Sequence, residues 1–218
     1  MFDIFLPFDG AVAQWIAQTF QPGANPFWDG FFTLITRLGD GGFFWIAIAV
    51  ALLLFNKTRK AGVVMLLAFL LNVIATNAVM KPLFDRPRPY DANFVEWARD
   101  YVYPALTNYP GGKAFPSGHT AISFAGAMGL FFGLRPVWVG RNLRPWAMIA
   151  IVLAAGVGFS RIYLGVHYTT DVIGGAFVGT LCGLAAMYLI ILLEKPFDKL
   201  DAPIAAAVNK HFPKIFRT

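Results

Sequence analysis

Long apolar segments alternate with short polar ones along most of this chain. The apolar segments cover residues 41–56, 61–80, 118–134, 146–164 and 172–193. A helix needs about 20 mostly apolar residues, or about 17 at the short end, to cross the hydrocarbon core of a bilayer. We read each segment as a helix because a single span has to satisfy its backbone hydrogen bonds internally. The pattern therefore predicts an all-α, polytopic membrane helix bundle.

The first 40 residues carry a weaker pattern, with two short amphipathic stretches on either side of the turn QPGANP. Trp15 and Trp28 suit the headgroup region of a membrane. We interpret residues 1–40 as interfacial helices that lie on the membrane. The alternative is one longer, bent span over residues 26–56. With that alternative kept open, the bundle is expected to contain five to six transmembrane helices.

The composition agrees with a membrane protein. Hydrophobic residues make up 57% of the chain and charged residues only 14%, whereas soluble domains carry roughly a quarter charged residues. A length of 218 residues predicts a single domain, 1–218. The net charge of +6 is read by position, because basic residues in a membrane protein first set its topology. We therefore expect a lipid bilayer as surroundings and no nucleic-acid partner; no feature of the sequence indicates an oligomeric state.

Basic residues cluster in two of the loops and in the tail 195–218, which predicts that these segments face the cytoplasm. Residues 1–40, 81–117 and 160–171 then lie on the extracytoplasmic side of the cell (inner or plasma) membrane. The N-terminus lacks the basic start of a secretory signal peptide. The loop 81–117 nevertheless holds five basic residues, which calls for another explanation.

The first polar cluster on that face is KPLFDRPRP, residues 81–89, directly after the second span. Its prolines end the helix and stiffen the segment that follows. Lys81 and Arg88 project from this constrained segment. Taken alone, the cluster is equally typical of a basic patch that binds anionic lipid headgroups.

The second cluster is PSGH, residues 116–119, at the start of the third span. A helix N-terminus presents free N–H groups and the positive end of a dipole, which together bind anions. Gly118 would let an anion approach the backbone, and Ser117 could cap the helix or donate to an oxyanion. The alternative is a plain helix cap with His119 as a bystander.

The third cluster is SRIYLGVHYTTD, residues 160–171. His167 and Asp171 are four residues apart, so one helical turn places them on the same face. An aspartate on one ring nitrogen fixes the tautomer and leaves the other nitrogen to attack or to carry protons. Arg161 adds a fork that suits phosphate oxygens. The alternative is a structural ion pair at the membrane edge.

The predicted topology places all three clusters at one membrane face. Lys81, Arg88 and Arg161, with one helix N-terminus, would neutralise an anion that carries about two charges. Two histidines can divide the work, one as nucleophile and one as acid for the leaving oxygen. No metal-ligand spacing accompanies them. We therefore expect metal-free phosphoryl transfer, with no metal and no cofactor.

The three clusters also match a known signature. The chain resembles the type 2 phosphatidic acid phosphatase (PAP2) superfamily, whose motifs are K-x6-RP, PSGH and SR-x5-H-x3-D, and every fixed position is filled here. The resemblance implies that His167 is the nucleophile, that Asp171 orients it, and that His119 protonates the leaving group. It implies that the phosphoryl oxygens are held by Lys81, Arg88, Ser117, Gly118 and Arg161. Arg86 lies outside the fixed positions, and Ser160 is expected only to pack.

The apolar spans argue against the soluble acid phosphatases and haloperoxidases of this family and favour a phosphorylated membrane lipid as substrate. By analogy with small bacterial members, we expect undecaprenyl diphosphate, with phosphatidylglycerophosphate or phosphatidic acid as alternatives. A rival of another class is a channel, transporter or scaffold that binds phosphate headgroups without catalysis. The aromatic stretch 93–103 is either a lid over the site or a segment that rests on the headgroups.

Overall fold

The computed structural model describes residues 2–20, 22–90 and 111–211, with the backbone only beyond residue 193. Within these ranges the regular structure is helical throughout, which confirms the predicted all-α class. The α-helices are α1 (Leu6–Phe20), α2 (Pro26–Arg37), α3 (Phe43–Leu53), α4 (Arg59–Val73), α5 (Lys81–Phe84), α6 (Gly118–Gly133), α7 (Pro136–Val139), α8 (Arg144–Tyr163) and α9 (Thr169–His211). The stretch 93–103 lies outside the described residues.

Helix α6 forms the centre of the bundle, with α4, α8 and α9 packed around it. Its small residues allow this close packing, and Ala121, Ala125 and Ala127 are fully buried. One buried polar contact ties α3 to the core, because the Trp45 indole donates to Ser123 Oγ over 3.1 Å. The packing of the apolar core therefore fixes the position of α6. The PSGH motif, at the N-terminus of α6, is fixed with it.

The glycines of α9 lie where α9 approaches α6 most closely. A Cβ added at Gly179 would lie 2.3 Å from the Ala121 carbonyl oxygen, and one at Gly175 would lie 2.7 Å from that of Ser117. Both neighbours are backbone atoms and cannot turn aside. These glycines allow the two helices to pack at this distance.

Gly179→Ala is expected to destabilise the protein by about 1–3 kcal/mol, because the added methyl group overpacks a backbone contact. The matched control is Gly30→Ala in α2, where an added Cβ would have no atom of the described residues within 4 Å; there, alanine should gain up to about 1 kcal/mol of helix propensity. Thermal unfolding of both variants in the same detergent tests this. Equal melting temperatures for the two variants would contradict the packing argument.

Three helical stretches of the described chain are long and apolar enough to cross a membrane: Arg59–Phe84, Arg144–Tyr163 and Thr169–Leu193. They correspond to the predicted second, fourth and fifth spans. The predicted first and third spans are shorter helices, since α3 has 11 residues and α6 has 16. The predicted count of five to six spans is therefore not confirmed.

The N-terminal region has the bent geometry of the alternative interpretation. Pro26–Arg37 and Asp40–Leu53 are together long and apolar enough to cross a membrane, with a bend of 43° between them. Counted as one span, this pair brings the described total to four. The break at residues 38–39 is followed by Asp40–Gly42, where Gly41 and Gly42 both have positive φ angles, a conformation that glycine adopts without strain.

Candidate active site

The three polar clusters meet at one end of the bundle. A π-helical turn, Ile74–Met80, separates α4 from α5, and Lys81 follows it directly. A Cβ built on Gly118 would lie 3.7 Å from Lys81 Nζ. The ammonium group therefore lies beside the N-terminus of α6.

Arg88 is fixed by backbone carbonyl groups. Its Nε donates to the Gly112 carbonyl and its Nη2 to that of Gly111, each over 3.1 Å. Its Nη1 donates to the Val166 carbonyl over 3.0 Å and lies 3.1 Å from His167 Nε2. The guanidinium therefore links the first motif to the third with little freedom to move.

These contacts assign the tautomer of His167. A guanidinium has no acceptor, so Nε2 accepts from Arg88 and carries a lone pair. The ring proton is then on Nδ1, which lies 3.4 Å from Asp171 Oδ2. Burial lowers the pKa of the His167 imidazole well below its ordinary value, and the charges of Arg88 and Arg161 act in the same direction. The ring is therefore neutral at neutral pH, as a nitrogen nucleophile has to be.

Asp171 lies in the first turn of α9 and is fully buried. Besides His167, its Oδ2 accepts from the backbone N–H of Tyr168 over 2.9 Å. Its Oδ1 accepts from Arg86 Nη1 over 2.6 Å. The carboxylate that faces His167 is thus held by partners on both of its oxygens.

Arg86 lies between the fixed positions of the first motif. Its ion pair with Asp171 is the main contact that holds this carboxylate. Arg86 is 1% exposed, and its Nη2 donates to Asp9 Oδ2 over 2.8 Å. Its guanidinium lies over the Tyr168 ring at 3.8 Å from the centroid. Asp9, on α1, in turn accepts from the backbone N–H and the hydroxyl of Thr170. The chain Asp9–Arg86–Asp171 joins the N-terminal helix to the third motif.

Sequence reasoning missed Arg86 and Asp9, although a signal was present. Both are charged residues in apolar or proline-rich surroundings, where an unpaired charge is costly to bury. A buried charge of this kind needs an oppositely charged partner, and here Arg86 and Asp9 form an ion pair with each other.

Arg161 lies at the C-terminal end of α8 and is 4% exposed. Its Nη1 donates to Thr36 Oγ1 on α2 over 2.7 Å. Its Nε is buried and has no hydrogen-bond partner among the described residues. The neighbouring Ser160 donates to the Val157 carbonyl within its own helix, in agreement with the expected packing role.

The PSGH segment differs from a plain helix cap. Ser117 is the N-cap of α6, but its side chain makes no capping hydrogen bond. Its Oγ accepts instead from Thr120 Oγ1 over 2.9 Å, and its backbone N–H donates to the Asp171 carbonyl. His119 Nε2 lies 2.8 Å from Asp40 Oδ1 in the turn before α3. Asp40 is a further contact that sequence reasoning did not find.

The charge distribution at this end of the bundle suits an anion. Lys81, Arg88 and Arg161 lie close enough to act on His167 together. Their charges, with the free N–H groups of the α6 N-terminus, favour a multiply charged oxyanion. The arrangement combines a neutral, oriented imidazole with cations that would hold the atom it attacks.

Several known proteins resemble this chain in sequence. The sequence pattern of the PAP2 superfamily matches residues 58–193. An undecaprenyl-diphosphatase of Sulfolobus acidocaldarius is 31% identical over 180 residues, which are 82% of this chain and 77% of that protein. A lipid A 4'-phosphatase of Porphyromonas gingivalis is 32% identical over 168 residues, 73% of this chain and 64% of that one.

A solved structure shares the fold as well. The crystal structure of a transmembrane PAP2-type phosphatidylglycerolphosphate phosphatase from Bacillus subtilis has a TM-score of 0.65 and 26% sequence identity, and the match covers 90% of this chain and 87% of that one. Family pattern, relatives and structure agree on a hydrolase of phosphate esters. The chain therefore belongs to the PAP2 superfamily and is a membrane lipid phosphatase.

Proposed function

We propose that this phosphatase works without a metal ion, through a phosphohistidine at His167. The observation that carries the proposal is the state of that ring: neutral, with Nδ1 on Asp171 and the Nε2 lone pair held beside Arg88. Such a nitrogen is placed to attack a phosphorus atom bound by the surrounding cations. The predominantly cationic site also repels a divalent cation, which favours direct use of the side chains.

Binding of the phosphoryl group is assigned to the cations and the α6 N-terminus. Arg88 and Lys81 approach it from the first motif and Arg161 from the third, with the free Nε–H of Arg161 as one donor. The Gly118 N–H and Ser117 complete the set. These groups stabilise the charge on the equatorial oxygens as it is redistributed in the transition state.

Two steps complete the reaction. In the first, the bond from His167 Nε2 to phosphorus forms while the bond from phosphorus to the leaving oxygen breaks, and His119 donates a proton to that oxygen. Asp171 stabilises the positive charge that develops on the His167 ring. In the second, His119 accepts a proton from water, the water oxygen bonds to phosphorus, and the phosphorus–nitrogen bond breaks. Phosphate is released and His119 is again protonated.

For the substrate, we propose undecaprenyl diphosphate, cleaved at the extracytoplasmic face of the cell membrane. The name of the Sulfolobus relative supports it, and so does the basic character of the predicted cytoplasmic loops. The Bacillus structure supports the alternative of phosphatidylglycerophosphate, with phosphatidic acid as a smaller lipid of the same class.

Release of inorganic phosphate from a lipid panel tests the proposal. The purified protein in detergent is given undecaprenyl diphosphate, phosphatidylglycerophosphate or phosphatidic acid, with and without a chelator. We expect release that the chelator leaves unchanged, fastest with undecaprenyl diphosphate. A requirement for added Mg²⁺ would overturn the metal-free mechanism. Headgroup binding without any release would favour the non-catalytic rival.

A further inference from the structure

A glycine-rich turn brings a carboxylate onto His119. The turn Gly39–Gly42 connects α2 to α3, and its one side chain is that of Asp40. A Cβ built on Gly39 would lie 2.8 Å from Val157 Cγ1 and 3.0 Å from His119 Cδ2. A larger residue at position 39 would therefore push the turn away from the ring, and the carboxylate with it.

The turn Gly39–Gly42 contacts one edge of the His119 imidazole. Asp40 Oδ1 accepts from Nε2, and the Gly39 backbone lies against the adjacent Cδ2. This contact leaves Nδ1 on the opposite edge of the ring. The Asp40–His119 pair is the counterpart of the Asp171–His167 pair. In the latter, Asp171 faces Nδ1 of His167, and Nε2 is the nitrogen proposed to react.

Asp40 also acts on the protonation of His119. Burial and the charges of Arg161 on α8 and Arg88 after α5 lower the pKa of the His119 ring, and the ring of His167 lies within range of it as well. Asp40 is a carboxylate at hydrogen-bond distance, and it favours the protonated form. A general acid that faces two arginines needs such a partner until the substrate phosphate offsets their charges.

We propose that Asp40 is a positioning residue that orients His119 and favours its protonated state, and that phosphate monoesters depend on it more than diphosphates do. The inference rests on the proposed function, in which His119 protonates the leaving oxygen. In the protonated ring, Nε2–H donates to Asp40 and Nδ1–H donates to the leaving oxygen. After transfer, Nε2–H stays on Asp40, and the Nδ1 lone pair can accept a proton from water.

The dependence on substrate follows from the leaving group. A lipid monoester expels an alkoxide, which is strongly basic and needs a proton as the bond breaks. A lipid diphosphate expels a lipid phosphate, a far weaker base that can leave without one. General-acid catalysis contributes about 10²–10⁴-fold where a proton is needed. Loss of Asp40 should therefore slow the two reactions unequally.

The test compares wild type with Asp40→Asn on phosphatidic acid and on farnesyl diphosphate, from pH 5 to 9. Asparagine keeps the size of the side chain and an oxygen acceptor but removes the charge. We expect kcat for the monoester to fall about 10–100-fold, kcat for the diphosphate to fall less than threefold, and KM to change little for either. The basic limb of the monoester pH profile should move to lower pH. Asp85→Asn, at an exposed carboxylate paired with Lys113, is the matched control and should behave as wild type.

The ratio of the two kcat values is measured within one preparation, so partial unfolding of the variant does not affect it. An unchanged ratio in an active Asp40→Asn enzyme would overturn the inference while leaving the proposed function intact. Equal losses on both substrates with a raised KM would assign Asp40 to phosphate binding and overturn it too. Failure of the proposed function would show differently, as wild-type protein that releases no phosphate from either lipid.

Discussion

Replacing His167 with alanine is expected to reduce lipid phosphate release by about 10⁴-fold or more. No other described side chain combines a neutral nitrogen with contacts to both Asp171 and Arg88. The loss should appear in kcat, since the groups assigned to phosphate binding stay in place. Asp171 keeps its bonds to Arg86 and to the Tyr168 N–H, so the variant should fold.

A trapping experiment separates the role of nucleophile from that of a general base. Wild type quenched during turnover of a ³²P-labelled lipid should carry label that is lost in acid and kept in base, as for a phosphorus–nitrogen bond. His167→Ala should carry none. His211→Ala, at the histidine near the end of α9, is the matched control and should keep both label and activity. Label in the His167→Ala protein would place the nucleophile elsewhere.

The spacing of the three motifs predicted which side chains lie together, because these spacings reflect local geometry. His167 lies in the turn before α9 and faces Asp171 in the first turn of that helix, so the interval of four residues predicted the contact although His167 itself is not helical. Gly118 opens α6, as the break at Pro116 predicts. These relations depend on a few neighbouring residues and can be read from the sequence.

The contribution of the N-terminal region could not be read in this way. Asp9, Thr36 and Asp40 reach the site through contacts with residues 77 to 161 positions away in the chain. These residues belong to the segment 1–40, which has the weak apolar pattern of interfacial helices. Such a pattern does not indicate which distant residues its polar side chains will contact. The apolar pattern did locate α6, since the predicted third span, 118–134, nearly coincides with Gly118–Gly133, whereas the predicted first span, 41–56, contains the shorter α3 of 11 residues.

Removal of Arg86 should have the second largest effect, because two buried carboxylates depend on it. Both Asp9 and Asp171 have fully buried side chains, and the guanidinium fork donates to each of them. Loss of one partner from a buried ion pair costs about 3–5 kcal/mol, mainly because the remaining charge is left uncompensated. Arg86→Ala should therefore lower the melting temperature in detergent markedly. It should also reduce kcat in the protein that remains folded, since Asp171 loses the contact on Oδ1.

Two further variants separate charge from geometry. Arg86→Lys keeps the charge but cannot bridge both carboxylates as a planar fork does, so stability should recover more than kcat. Asp9→Asn in the Arg86→Ala background removes one unpaired charge and should restore part of the stability, with no gain in kcat, because Asp171 still lacks its partner. Arg141→Ala, at an exposed arginine, is the control for loss of a positive charge alone. If Arg86→Ala melted and turned over like Arg141→Ala, the chain from Asp9 to Asp171 would have no part in holding the site, and the orientation of Asp171 would rest on the contacts of its Oδ2 with His167 and the Tyr168 N–H.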